Sequence, residues 1–519
     1  MKKYDCLIVG TGIAGQLVAS KLINSGLEIC ILESGAETRN PSLDFLNKFE
    51  ASALNFRKDF LNRVREVGGA CNLWAGRMMR LSREDIEARP WLGLNGWPIE
   101  YEELESFYNQ VDDLFGIVNS WNHKCKFPFP DHTYEHVIEN ARSVWAKKTP
   151  RFNVKSNYWK EISRSNHTDI FLNCTVINLE YQKNRDVLVN CIHGDANISF
   201  KSKYVVVASG GIENARILLD SKDDSGRFFN SMNTNIGHYF MDHPTYVTPS
   251  LSLVNSLPIS TLNQKSFYNS TLKDGIKFKR KVQSENGLTN PYIEISMHIG
   301  ENAEKAMANI VALYKSRVVS EYLGLNPADI MQAINSIYLM NPIEKFPHFV
   351  RQSYDYLFRK IRNNMIGDGI VFSHHIENLP SYQNYIKKLE RKNKYGCSEI
   401  EINWTIGEPE LKSSERLIAE SIKYFKLIGV IDNNIEVPKI NLSKINDASH
   451  HMGTTRMSST SSDGVVDKNL RLWGVNSIFV AGSSVFPSTG HANPTYTIAA
   501  LSIRLGEYLR KTINSNSEV

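Results

Sequence analysis

Residues 4–15, Tyr-Asp-Cys-Leu-Ile-Val-Gly-Thr-Gly-Ile-Ala-Gly, join a hydrophobic strand to a helix through three glycines. In such a turn Gly10 allows the chain to bend tightly, and Gly12 lets the backbone approach a pyrophosphate. Gly15 lets the helix pack against the sheet, and the helix amino terminus directs its positive end towards the phosphates. The pattern predicts a strand over 4–9 and a dinucleotide bound at the turn.

A second strand is predicted over 28–32, so that the first two strands and the helix over 13–25 form a complete βαβ unit. Glu33 ends this strand, where a carboxylate can accept hydrogen bonds from ribose hydroxyls. An acid at this position disfavours a 2′-phosphate, so FAD or NAD fits better than NADP. A glycine turn in an ordinary α/β fold is the alternative, and it does not account for Glu33.

The length and the order of the patterns predict an α/β protein with two interleaved domains, because 519 residues exceed one simple core. We expect a helix over 212–220, a strand over 398–405 and a helix over 411–428, with helical pattern over 302–365 and β-like alternation over 245–300. Residues 90–165 lack clean periodicity. A Rossmann-like dinucleotide-binding domain is predicted from 1–90, 169–245 and 440–519, and a sheet-based α+β substrate-binding lobe from 91–168 and 246–439.

Composition excludes several classes of function. A net charge of +5, with 42% hydrophobic and 22% charged residues, gives no support for binding to nucleic acid or membranes. The seven cysteines are scattered, odd in number and without metal-ligand spacing, so we expect no metal and reduced thiols in the cytoplasm. No stretch is long and apolar enough for a transmembrane segment.

Two motifs near the carboxy terminus carry candidate catalytic groups. His450-His451-Met452-Gly453-Thr454 places two imidazoles beside a glycine, and Gly490-His491-Ala492-Asn493-Pro494-Thr495 opens a long amphipathic helix. Asn is a favoured N-cap and Pro is favoured at the first helical position, so Asn493 and Pro494 also have a purely structural explanation. A loop histidine is more often a hydrogen-bonded structural residue than a base, and the adjacent pair leaves the choice between His450 and His451 open.

Together these motifs resemble the glucose–methanol–choline (GMC) family of FAD-dependent oxidoreductases, closest to the branch of pyranose oxidase and the bacterial sugar and polyol dehydrogenases. The resemblance rests on the first ninety residues, 210–216, 236–244 and 447–510. In that family the active histidine stands three residues before the Gly of a Gly-Thr pair, which implies His450 here. His451 and His491 are implied as supporting residues, and Asn493 as the second catalytic residue.

The glycine pattern and the resemblance also imply the FAD contacts. These are Gly10, Gly12, Ile13, Ala14, Gly15, Glu33, Gly68, Gly69, Asn72, Leu73, Trp74, Ala75, Val176, Ala208, Gly210, Gly482, Asn493, Pro494 and Thr495. Pyranose oxidase has a histidine joined covalently to the flavin just before a Trp, and this chain has Leu73 before Trp74. Leucine cannot form that bond, so the resemblance predicts non-covalent FAD.

The implied reaction is oxidation of an alcohol, on a sugar, glycoside or cyclic polyol, to a carbonyl. His450 takes the hydroxyl proton, Asn493 donates to the developing alkoxide, and hydride passes to flavin N5. The electron acceptor, whether oxygen, a quinone or a redox carrier, stays open. Alternatives are a lyase in which flavin is structural, a non-catalytic nucleotide-binding protein, and an NAD enzyme on the evidence of the first βαβ unit alone.

Overall fold

A computed structural model of the chain describes residues 2–53, 62–74, 76–117, 120–121, 136–146, 152–258, 270–298 and 366–515. The helix predicted over 302–365 and the predicted cofactor residue Ala75 lie outside the described residues. The predicted β-like stretch 245–300 is described in part.

The opening strand lies in the middle of a sheet that has eight strands within the described residues. In spatial order seven of them are Lys222–Asp223, Cys174–Tyr181, Val187–His193, Ala196–Val207, Lys3–Val9, Ile29–Leu32 and Thr168–Phe171. The eighth, Ile478–Val480, pairs in parallel with Ala196–Val207. Lys3–Val9 is parallel to both of its neighbours, so the carboxyl ends of these strands meet at the edge where the glycine turn begins.

The described residues form two further sheets, one antiparallel and one mixed. The second sheet, antiparallel throughout, contains Thr245–Val247, Ile366–His375, Tyr292–His298, Ser270–Phe278, Ile138–Ala146 and Arg77–Met78, with Leu251–Pro258 paired to Ile366–His375. The third contains Tyr385–Lys392, Ser398–Trp404 and Glu50–Ala53. The alternating pattern of 245–300 thus forms strands of the second sheet, interrupted by the short helix Arg280–Asn286.

The α-helices of the described part of the chain are Ile13–Leu22, Arg83–Ile86, Tyr101–Phe115, Asn157–Arg164, Gly210–Asp220, Phe229–Met232, Arg280–Asn286, Glu408–Leu427 and Pro494–Ser515. The first helix ends at Leu22, earlier than predicted, because the chain turns at Ser25 and Gly26, where Gly26 has a φ of +76°. Glu408–Leu427 begins earlier than predicted because Pro409 occupies its first turn. None of the helices described here is long and apolar enough to cross a membrane.

The helix Tyr101–Phe115 falls in the stretch for which the sequence analysis found no clean periodicity. Its buried residues include Leu104, Tyr108, Val111 and Phe115, which share one face at helical spacing. That face packs on the final helix, where the Tyr108 hydroxyl lies 2.7 Å from the Thr497 hydroxyl. The packing places a segment of the predicted substrate lobe in the same hydrophobic core as the first sheet. The predicted division into two domains stays a prediction.

Candidate active site

A cavity of about 590 Å³ lies along the edge of the first sheet where the glycine turn is found. Its wall includes both predicted catalytic residues, His450 and Asn493, together with His451. The predicted cofactor residues that line it are Gly10, Gly12, Ile13, Ala14, Glu33, Gly68, Gly69, Leu73, Trp74, Val176, Ala208, Gly210, Gly482, Asn493, Pro494 and Thr495. Residues from both ends of the chain therefore meet around one space.

The three glycines of the opening motif have three different structural roles. Gly10 has a φ of +102°, and a Cβ there would lie 2.7 Å from the Ala208 carbonyl oxygen. A Cβ on Gly15 would lie 1.9 Å from the Gly10 oxygen, so the helix contacts the turn itself. Gly12 lies in extended backbone with a φ of −63°, and a Cβ there meets no described protein atom within 4 Å. The cavity therefore has room for a ligand to approach the backbone at Gly12.

Glu33 lies at one end of the cavity and is held by the turn. Its carboxylate accepts hydrogen bonds from the Thr11 amide at 2.9 Å, the Thr11 hydroxyl at 2.6 Å and the Gly35 amide at 2.8 Å. These donors fix the carboxylate at the cavity wall, which is the position predicted for a group that contacts ribose. A second glycine, Gly68, lies beside the turn: its backbone forms a parallel bridge with Gly12 and has a φ of +97°.

Three arginines add positive charge to the cavity wall near this end. Arg216 binds Glu213 at 2.9 Å, and Arg65 and Arg63 approach the same carboxylate at 3.3 and 3.8 Å. Burial opposes ionisation of Glu213, but the three guanidiniums outweigh it and lower the pKa of Glu213 to about 2. The cluster retains an excess of positive charge, which suits a diphosphate. The sequence analysis did not identify these arginines.

The His450 loop is positioned by the carboxylates of Asp242 and Asp447. Asp242 accepts from the His450 amide at 3.1 Å and from the Ala448 amide at 3.0 Å. Asp447 accepts from the amide and hydroxyl of Ser449, both at 3.0 Å, which holds Ser449 at a φ of +60°. This left-handed residue turns the chain so that the next side chain, His450, lies at the cavity wall.

Asp242, Asp447 and His451 are buried and offer ligand atoms within 4.8 Å of one another, a spacing that suits a metal ion. Burial and the nearby Asp447 raise the pKa of Asp242 to about 7. The backbone amides that Asp242 accepts from give this carboxylate a structural role without an ion. The sequence-based expectation that the protein binds no metal stays a prediction.

The segment after His450 packs directly on the helix Gly210–Asp220. A Cβ on Gly211 would lie 2.1 Å from the His451 carbonyl oxygen, and a Cβ on Gly453 would lie 2.2 Å from the Tyr239 oxygen. The Thr454 hydroxyl donates to the Gly211 oxygen at 2.6 Å. Gly211 and Gly453 thus occupy positions where two backbone segments are in contact.

The His450 imidazole contacts a second buried histidine, His243, with 3.1 Å between the two Nδ1 atoms. Burial lowers the pKa of His450 well below its ordinary value, and His243, His451 and Arg77 lower it further. Burial also lowers the pKa of His243 to about 4. Both rings are therefore neutral at neutral pH. His243 belongs to the 236–244 motif, but sequence reasoning gave it no role.

Three of the predicted site residues do not line the cavity. Gly15 packs against the turn, and the Asn72 amide donates to Glu66 at 2.7 Å and to the Val67 oxygen at 2.9 Å. His491 is buried behind the cavity wall, with its Nδ1 3.2 Å from Asp85. The cofactor contacts of Gly15 and Asn72 and the supporting role of His491 stay predictions.

The residues present fit FAD. The cavity combines a turn with open space beside Gly12, a carboxylate fixed at Glu33 and a cluster of arginines near it. The final helix begins at Pro494 in the cavity wall and directs its positive end into the same space. Such an end stabilises negative charge, as on a reduced flavin ring.

Comparison with known proteins supports the same assignment. Residues 380–502 match the family model described as GMC oxidoreductase. The 2-methyl-1,2-propanediol dehydrogenase of Mycolicibacterium austroafricanum is 20% identical, with 98% of this chain and 95% of the relative covered. The fructose dehydrogenase large subunit of Gluconobacter japonicus is also 20% identical, with 97% of each chain covered.

Among solved structures, a formate oxidase from Aspergillus oryzae RIB40, studied for its FAD modification, has a TM-score of 0.57 at 15% identity and covers 99% of both chains. At this identity the likeness concerns the fold. The family model, the full-length relatives and the shared fold agree with the residues that meet around the cavity. Residues 380–502 of the chain therefore belong to the GMC oxidoreductase family, and the full-length relatives are dehydrogenases named for a diol and for fructose.

Proposed function

We propose that this enzyme oxidises an alcohol carbon of a sugar, glycoside or polyol to a carbonyl, using non-covalently bound FAD. The observation that carries the proposal is the convergence of His450 and Asn493 on the cavity that also contains the glycine turn. A proton acceptor and an amide donor at one wall are the groups that alcohol oxidation requires.

His450 is the proposed general base. Its Nδ1 lies against His243, so Nε2 is the nitrogen available to the substrate hydroxyl. The lowered pKa keeps the ring neutral, and therefore able to accept a proton, throughout the neutral pH range. Asn493 is half-buried in the cavity wall, where its amide can donate to the substrate oxygen as negative charge develops. Bound FAD supplies the hydride acceptor.

The proposal of a hydroxyl-rich substrate draws on the lining contributed by the second sheet. Arg77 and Trp145 pair across two strands of that sheet, and both line the cavity. Glu294 holds the Arg77 guanidinium at 2.8 Å, and the guanidinium carbon lies 5.9 Å from the Trp145 ring centre. An aromatic face beside a fixed cation suits a ring that has C–H and hydroxyl faces. Two relatives are named for a diol and a sugar.

The proposal that FAD is non-covalent rests on Leu73, which lines the cavity and has no atom able to form the bond that a histidine forms. We place the enzyme in the cytoplasm, since the six cysteines within the described residues are free and buried, as suits a reducing compartment. Oxygen, a quinone or a redox carrier could each take the electrons.

The test is anaerobic reduction of the purified enzyme by a panel of monosaccharides, glycosides and polyols, followed through the visible absorption band of the flavin. Bleaching by a panel member supports the proposal, and admission of air then separates an oxidase from a dehydrogenase. His450→Gln should retain FAD and lose about 10²–10⁴ in the rate of bleaching. Turnover without bleaching would instead identify a lyase, and a colourless protein would point to NAD.

A further inference from the structure

The His243 side chain links the two catalytic segments, although it does not line the cavity. It is 1% exposed, and each of its ring nitrogens faces one polar atom. Nε2 lies 3.0 Å from the Gly490 carbonyl oxygen, three residues before Asn493. Nδ1 lies 3.1 Å from Nδ1 of His450. The two rings are nearly perpendicular, with an angle of 86° between their planes.

These contacts determine where the protons lie. A carbonyl oxygen only accepts, so His243 Nε2 must carry the hydrogen. A neutral imidazole carries one hydrogen, which leaves a lone pair on His243 Nδ1. His450 Nδ1 must then be the donor, because two lone pairs 3.1 Å apart repel each other. The hydrogen of His450 is thereby fixed on Nδ1 and the lone pair on Nε2.

We propose that His243 is a positioning residue that fixes the tautomer of His450. The hydrogen bonds run from His450 through His243 to the Gly490 carbonyl, where they end. The assignment rests on the proposed function, since it gives His450 Nε2 the lone pair that accepts the substrate proton. The lowered pKa of His243 agrees with it, because a ring that stays neutral keeps an acceptor for His450.

Gly490 itself packs closely against a buried carboxylate. Gly490 has a φ of +56°, and a Cβ there would lie 2.6 Å from Asp85 Cγ. Asp85 is 1% exposed and accepts from the Ser82 amide at 2.8 Å and hydroxyl at 2.7 Å. The chain then continues to Asn493, so one loop both presents the catalytic amide and sets the proton position of the catalytic base.

A matched pair of variants tests this assignment in the FAD-loaded enzyme. In His243→Leu and His243→Asn the new side chains have nearly the same shape, but only Asn offers an oxygen that can accept a hydrogen bond from His450. We expect His243→Leu to slow substrate-driven flavin bleaching by about 10–100-fold, the usual cost of losing a group that fixes a ligand or base histidine. His243→Asn should stay within about threefold of the wild type, and KM should change little in either variant, because His243 lies outside the cavity wall.

A measurement without turnover tests the tautomer directly. In ¹⁵N-histidine-labelled protein, the His450 signals, assigned by their loss in His450→Gln, should show a protonated Nδ1 and an unprotonated Nε2. This spectrum decides the question for the wild type even if His243→Leu does not fold. A His450 ring protonated on Nε2 would overturn the assignment.

The variants also separate this inference from the proposed function. If His450→Gln is impaired and His243→Leu bleaches at the wild-type rate, the positioning role is wrong and the proposed base stands. If His450→Gln bleaches at the wild-type rate, the proposed base is wrong and the role of His243 fails with it. Impairment of His243→Leu and His243→Asn to the same extent would indicate loss of packing rather than of the acceptor, and would also refute the assignment.

Discussion

Replacement of Gly12 by alanine separates a glycine required by the ligand from one required by the fold. The added methyl meets no described protein atom within 4 Å, and the backbone φ of −63° suits any residue. In the FAD-free protein Gly12→Ala should therefore change the free energy of unfolding by at most about 1 kcal/mol, because alanine restricts the unfolded chain but is a weaker helix N-cap than glycine. The methyl would occupy space in the cavity, so we expect FAD affinity to fall about 10–100-fold, which is about 1–3 kcal/mol.

Gly15→Ala is the matched control within the same motif. Its methyl would lie 1.9 Å from the Gly10 carbonyl oxygen, so the helix and the turn must separate by more than an ångström. Overpacking of this kind costs about 3 kcal/mol. The loss should appear in the unfolding free energy without FAD, because the clash is between protein atoms.

Urea unfolding of the FAD-free proteins, followed by circular dichroism, measures the first quantity, and FAD titration followed by flavin fluorescence measures the second. The expected pattern is a stable Gly12→Ala protein that binds FAD weakly and a Gly15→Ala protein that unfolds at lower urea. Two results would refute the reasoning: wild-type FAD affinity in Gly12→Ala, or a loss of unfolding free energy there as large as in Gly15→Ala.

Two further predictions concern side chains on the second sheet. His374 is fully buried, neither of its ring nitrogens has a hydrogen-bond partner among the described residues, and burial lowers its pKa to about 3. Between about pH 6.5 and 3 the unfolded chain therefore binds a proton that the folded chain does not. The free energy of unfolding falls as the pH drops through this window, by about 2 kcal/mol at about pH 5. His374→Leu should flatten this part of the curve of unfolding free energy against pH, whereas the same change at the exposed His193 should not. Trp145→Ala should raise KM for the best substrate of the panel about fivefold, which is about 1 kcal/mol, and leave kcat nearly unchanged. The reason is that the ring lines the cavity without a proposed role in proton transfer. A fall in kcat with KM unchanged in steady-state kinetics would contradict this prediction.

The elements that could be predicted from the sequence are those whose signals are local. Four buried residues in succession, Cys6–Val9, followed by the glycine turn, specify a central parallel strand and its helix in any context. Glu33 could be assigned because the βαβ unit itself fixes where its second strand ends. His450 and Asn493 were identified by their neighbours, since Gly453 and Pro494 mark places where the backbone has special requirements.

Other features depend on contacts between residues far apart in the chain. The Arg63, Arg65 and Arg216 cluster forms around Glu213 because a loop and a helix end converge there. The contact of the helix Tyr101–Phe115 with the final helix is also of this kind, although the apolar residues of that helix recur at helical spacing in the sequence.

The sequence by itself predicted the family resemblance, the cofactor turn, and the identity of the proposed base and of the proposed amide donor. The tertiary structure alone decided that His243 lies between Gly490 and His450, and that His450 lines the same cavity as Asn493. Backbone geometry and strand pattern are encoded in neighbouring residues and can be read along the chain. Proton positions and charge clusters depend on distances of about 3 Å between atoms that only the folded chain brings together.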